Sequence, residues 1–215
     1  MTAAAPVRRR LNPAVRRDLI LDEAARVVLA DGLSAVSMEA IGRAAGVSKA
    51  LVYTYFPSKA ALLAELLVRE YRAFQVGARA AAAGADGFES LVRLTTRAWL
   101  NHVVARGALI QRLLAEPAAA QVLQAAEGEG REATVAFFGH EIARAFAIPR
   151  PTAMTVADLL MGMTGAAGDH LARTGGDPAA VEAMVVEMIM AALQQVARDR
   201  TLARPGTVDT LRLDR

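Results

Sequence analysis

The sequence predicts an all-α fold of about nine helices, in which an N-terminal three-helix domain is joined to a larger helical body. Three observations carry that prediction. Apolar residues recur at three- and four-residue spacing along most of the chain. The recurrences are bracketed by helix start and stop signals, from Asn12-Pro13 and Asp31-Gly32 to Gly175-Gly176 and Asp177-Pro178. Of the 215 residues 54% are apolar and none is Cys, so a packed core, not a disulfide framework, must hold the fold.

The first helix opens on the Asn12 cap with Pro13 at its first position. Ile20, Ala24, Val27 and Val28 then form one buried face until Asp31-Gly32 stops it. Ser37 caps the second helix, Glu39 suits the positive end of its dipole, and Met38, Ile41 and Ala45 form its stripe. Gly46 supplies a left-handed stop and Ser48 caps again at once, so the chain turns sharply into a third helix. Val52 and Phe56, four apart, face inward there. Lys49, Ala50, Leu51, Tyr53, Thr54 and Tyr55 share the other faces. Two short helices across a tight turn make a helix-turn-helix. A small residue beside an apolar one can approach thymine methyls, while Lys, Tyr, Ser and Thr donate to phosphates and base edges.

Residues 45 to 62, Ala-Gly-Val-Ser-Lys-Ala-Leu-Val-Tyr-Thr-Tyr-Phe-Pro-Ser-Lys-Ala-Ala-Leu, resemble the signature of the TetR family of one-component transcriptional repressors, and the likeness extends over roughly residues 14 to 67. The Tyr-x-Tyr-Phe-Pro-Ser-Lys spacing makes this more specific than a bare helix-turn-helix. The resemblance implies phosphate contacts from Ser37, Tyr53, Tyr55 and Lys59. It implies base-side contacts from Ser48, Lys49, Ala50, Leu51 and Thr54. It also implies a hollow, effector-binding body that dimerises. Gly42 stands where the family usually has Ala, at a cost of about 1 kcal/mol unless packing compensates. Leu51 stands at a usually polar position, Tyr55 replaces a frequent His, and Ala61 replaces an acidic residue.

By this division residues 1–12 are a basic arm, 13–57 the DNA-binding domain, 58–199 the effector-binding and dimerisation domain, and 200–215 a tail. A fourth helix from Ser58, with Leu63, Leu67, Tyr71 and Phe74 as its stripe, is expected to link head and body as a lever. Ala81 to Gly87 reads as a linker, and Glu127-Gly-Glu-Gly130 as a loop signal. From Phe88 the pattern is helical, and Thr95, Trp99 and His102 fall on one apolar face with Val92. They are either the polar lining of a ligand cavity or core members with satisfied polar atoms. Phe138, in a later stripe with Val135, Ile142 and Phe146, is a further candidate for that lining. Residues 107–117 read as a short helix ending before Pro117, and Pro149-Arg150-Pro151 as a break.

Two long helices, roughly 152–173 and 178–198, close the chain. Glycines at 162, 165 and 168 cost the first of them about 2 to 3 kcal/mol, which argues for close backbone packing. The last is apolar on a broad front. A dimer interface is therefore expected from Gly162, Gly165, Ala166, Val181, Met184, Val185 and Met188, paired about a twofold axis as a four-helix bundle.

The net charge is +3, but residues 1–59 hold nine Arg or Lys against five acids, an excess that suits a nucleic-acid module. Arg8-Arg9-Arg10 is either an arm along the phosphates or a solvated tail. No signal peptide is expected, and no membrane span, since Glu182 and Glu187 interrupt the last apolar stretch. Without Cys, and with three scattered His, neither a metal site, a cofactor nor a catalytic set is expected, and a reducing cytoplasm is the natural location. The leading expectation is a homodimeric repressor that binds an inverted-repeat operator and is released by a small, mostly apolar effector. The alternatives are a DNA-binding regulator without an effector, and an all-α carrier or enzyme.

Overall fold

A computed structural model describes residues 12–199; the arm at Arg8-Arg9-Arg10 and the tail at 200–215 lie outside them. The described residues form α1 (Pro13–Asp31), a single 3-10 turn (Leu33–Ala35), α2 (Met38–Ala44), α3 (Lys49–Tyr55), α4 (Lys59–Ala83), α5 (Phe88–Leu114), α6 (Pro117–Phe146), α7 (Arg150–Thr174) and α8 (Pro178–Arg198), with no strand among them. The local signals act as expected. The Asn12, Ser37, Ser48 and Asp177 side chains each accept from a backbone N–H of the turn they open, and Gly175 is left-handed with φ of 66° where α7 stops.

The chain divides into two compact units. One comprises residues 12–67 with Leu109–Gln121, the other Val68–Ala108 with residues 122–199. The first division falls inside α4 because Leu62, Leu63, Leu66 and Leu67, at most 1% exposed, are all core side chains of its opening turns. Leu109, Leu113 and Ala119 are equally buried, so a stretch that reads as a separate short helix is core material for the first unit.

In the second unit Val92, Ile142, Ile148, Ala153, Ala157, Val185, Val186, Ile189 and Leu193 form the core, with Phe88, Phe138 and Val181 packed against it. Two buried carboxylates tie helices together there. Arg97 of α5 donates to both oxygens of Glu182 in α8 at 2.8 and 2.9 Å, and Arg106 donates to both oxygens of Glu70 in α4 at 2.6 Å. Each glutamate is nearly inaccessible, so removing its arginine would strand a charge away from water.

Four expectations are corrected. The helix expected at 107–117 is the end of α5, which runs unbroken through Gly107, and α4 extends to Ala83, leaving only 84–87 as linker. Glu127-Gly128-Glu129-Gly130 lies within α6, where Gly130 abuts the Tyr71 hydroxyl and the Gln75 amide so closely that a Cβ would not fit. α8 is long and apolar enough to cross a membrane, because Glu182 and Glu187 are too few to disqualify it. In this fold Val185, Val186, Ile189 and Leu193 are what its inner face buries.

Of the three α7 glycines, Gly168 makes the close approach expected of them. A Cβ there would stand 2.5 Å from Trp99 Nε1, whereas nothing lies within 4 Å of Gly162 or Gly165. Gly168→Ala should therefore lower the unfolding free energy by about 1–3 kcal/mol by overpacking. The single tryptophan reports it directly: chemical denaturation and Trp99 emission should both shift, and unchanged emission would show that the contact is not tight.

Candidate nucleic-acid interface

The candidate interface is built by its caps and its two anchors. Ser37 Oγ accepts from Ala40 N at 3.1 Å, and Ser48 Oγ accepts from Leu51 N at 3.2 Å. Between them Gly46 adopts φ of 65°, and Val47 N–H donates to Gly42 O at 2.8 Å, closing the turn. Met38, Ile41, Val52 and Phe56 are all buried, which fixes α3 against the head. What remains outside is Ser48, Lys49, Ala50, Tyr53 and Thr54, all exposed, with Leu51 and Tyr55 half-buried beside them. Thr54 donates its hydroxyl hydrogen to Ala50 O at 3.1 Å, so toward a ligand it can only accept. Ser48 accepts at its own cap and so keeps its hydroxyl hydrogen for a phosphate or base.

The basic residues of the head divide by occupation. Lys59 Nζ donates to the Leu33 carbonyl at 2.7 Å, so one of its three donors holds the opening of α4 to the α1–α2 connection. Arg17 pairs with Glu65 and lies 5.1 Å over the Phe56 ring, and Arg26 pairs with Glu23 at 2.8 Å. Lys49 stands exposed at the first position of α3. The internal uses of Lys59 and Arg17 were missed in the sequence because their partners lie 26 and 48 residues away.

The residues expected to line a ligand cavity are placed differently from one another. Thr95 donates to Leu91 O at 2.7 Å, within its own helix. Trp99 Nε1 donates to Thr164 O at 3.1 Å. The Trp99 and His102 rings gather around Phe74, 5.2 and 5.1 Å from it, while Phe138 belongs to the core of the second unit. A cleft of about 290 Å³ lies elsewhere in that unit, lined by Phe88, Leu91, Phe137, Asp86, Glu141 and Arg144 among others, and none of the four expected residues lines it. Burial pushes the His102 imidazole below its usual 6.5, against an upward pull from Glu70 and with a further downward push from Arg106.

The residues expected at a dimer interface also divide. Gly162 and Ala166 are exposed and Gly165 is half-buried, while Met184 and Met188 are 64% and 50% exposed beside Leu159 at 69%. Val181 and Val185 turn the other way, into the unit's own core.

Residues 20–66 match the family described as bacterial regulatory proteins, tetR family. The HTH-type transcriptional regulator BetI of Rhizobium meliloti is 41% identical over 88 residues, which cover 39% of this chain and 43% of that protein. The HTH-type transcriptional repressor KstR of Mycobacterium tuberculosis is 35% identical over 96 residues, covering 44% and 43%. The chain thus matches less than half the length of these curated relatives. Solved structures extend the likeness in fold over most of the chain. A TetR-like transcriptional regulator from a Rhodococcus matches with a TM-score of 0.65 at 24% identity, over 86% of this chain and 98% of that one. The flavonoid-responsive regulator FrrA matches with a TM-score of 0.59 at 28% identity, over 85% and 97%.

His102 carries a testable sign. Its imidazole is held neutral in the folded chain, so its contribution to stability is fully present above about pH 6.5 and is lost as pH falls toward the lowered value, where the unfolded chain takes up the proton first. His102→Gln should flatten that part of a melting-temperature profile between pH 7.5 and 5; parallel profiles for the two proteins would refute the assignment.

Proposed function

We propose, from a helix-turn-helix head whose residues 20–66 match the tetR family of bacterial regulatory proteins, that this chain is a homodimeric transcriptional repressor that binds an inverted-repeat operator and is released by a small, mostly apolar effector. The observation that carries the reading is the outer face of α3, where Ser48, Lys49, Ala50, Tyr53 and Thr54 are exposed while Val52 and Phe56 anchor the opposite side. In the major groove, Ser48, Lys49, Ala50, Leu51 and Thr54 meet base edges, while Ser37, Tyr53, Tyr55 and the spare donors of Lys59 meet phosphates. Two such heads about a twofold axis address half-sites about 34 to 36 Å apart.

Dimerisation is supported by the exposed strip of Leu159, Gly162, Ala166, Met184 and Met188 on α7 and α8, which a second copy would cover. An effector acts by binding better to a state whose heads are wrongly spaced. FrrA, similar over most of the chain, is a flavonoid-responsive regulator, which supports an aromatic or apolar effector here. The second reading, a DNA-binding regulator without an effector, is favoured by the donors of Thr95 and Trp99, both already satisfied within the chain.

Selection from random-sequence duplexes should yield an inverted repeat bound with steep salt dependence; a flat salt response or no enriched sequence would end the DNA reading. Tyr53→Phe should weaken all duplexes alike, and Lys49→Ala should change which sequence is enriched, with the reverse pattern overturning the sorting of contacts. For the interface, Met184→Glu with Met188→Glu should convert a dimer to a monomer in sedimentation. If the double variant sediments as the wild type does, the interface lies elsewhere.

A further inference from the structure

The last turns of α5 belong to the same compact unit as the helix-turn-helix, and one side chain there reaches back along most of that unit's sequence. Arg112 Nη1 donates to the main-chain oxygens of Val28 at 2.5 Å and Leu29 at 2.6 Å, 84 and 83 residues earlier. Both oxygens lie in the last turn of α1, where the helix runs out of its own N–H donors and the dipole favours a cation. Gly32 N–H reaches Val28 O at 3.1 Å, but Leu29 O receives no such bond from the connection that follows.

Four residues beyond Leu29, Lys59 Nζ grips Leu33 O at 2.7 Å. Two cations therefore act in succession here, Arg112 from the last turn of α5 on the end of α1 and Lys59 from the first residue of α4 on the connection that follows. Its exit is Ser37, the cap from which α2 and then α3 are laid down. A shift in the end of α1 is thereby carried to α2, the helix that supports the reading face.

The geometry assigns Arg112 as a positioning residue for DNA binding: it fixes the end of α1, and through it the attitude of α2 and α3, without touching DNA. This rests on the proposed DNA reading. It differs from a phosphate contact in a measurable way, because a phosphate contact is felt by every sequence and contributes to the salt slope, whereas a positioning contact is felt where α3 must meet particular bases.

The test uses the full chain and two duplexes, one selected from random sequence by the wild type and one scrambled. In Arg112→Ala the selected duplex should bind about tenfold more weakly or worse, with the scrambled duplex changed less than about twofold and the salt slope retained. Arg112→Lys, which keeps the charge and can reach one carbonyl, should fall between. Hydrogen exchange at the amides of α2, measured without DNA, should accelerate in both variants. Equal weakening of both duplexes with the salt slope reduced by about one would make Arg112 a phosphate contact instead. Unchanged affinity for the selected duplex, or unchanged exchange in α2, would overturn the assignment. If Arg112→Ala does not fold, Arg112→Lys decides on the same readouts. If the wild type selects no duplex while α2 exchange still accelerates, it is the DNA reading that has failed and not the grip.

Discussion

How closely Val47 can approach Gly42 sets the geometry of the helix-turn-helix. A Cβ at residue 42 would stand 3.0 Å from Val47 O and 3.3 Å from Val52 Cγ2, tighter than ordinary contact, and the bare Cα leaves that space to the incoming third helix. Val47 N–H then bonds Gly42 O, and Val52 is sealed against α2 at 0% exposure. The apparent defect of a glycine inside a seven-residue helix, about 1 kcal/mol in propensity, is offset by the closeness it permits. Because α3 is held at Val52 and Phe56, its opposite face is left free for another molecule.

Charge in this chain is organised by occupation more than by count. The excess of basic residues up to residue 59 suggests a broad positive surface, yet Arg17, Arg26 and one donor of Lys59 are engaged within the head. Arg112, far outside that stretch, is spent on carbonyls of α1. Lys49 at the start of α3 and Arg43 in the last turn of α2 stand exposed. Glu182 and Glu70 follow the same rule in the second unit. Each is a buried acceptor for a two-pronged arginine, although Glu182 reads in the sequence as an interruption of an apolar stretch.

The glycines of α7 show how one residue type serves different ends. Gly168 admits the indole of Trp99, whose N–H then reaches Thr164 O. Among the described residues nothing lies within 4 Å of where a Cβ at Gly162 or Gly165 would stand, so no packing contact there offsets their propensity cost. Gly162 is exposed, as are Leu159, Met184 and Met188, while Val185 and Ile189 turn inward. α8 is thus apolar on two faces, of which the core of its unit covers the one that carries Val185 and Ile189.

The helix-turn-helix, its caps, the glycine stops at Gly32, Gly46 and Gly175 and the inward stripe of each short helix were legible in the sequence, because those signals act within a turn or two of the residue that carries them. Gly107 and Gly128 to Gly130 look like helix stops in the sequence, yet α5 and α6 run through them, because a glycine in a helix interior carries the same local signal as one at its end. Only the tertiary structure decided which cations were already engaged, which glycines touch another side chain, and that Leu109–Gln121 joins the head. Those outcomes depend on partners 26 to 85 residues apart in sequence, which no local spacing brings together and only the packed helices do.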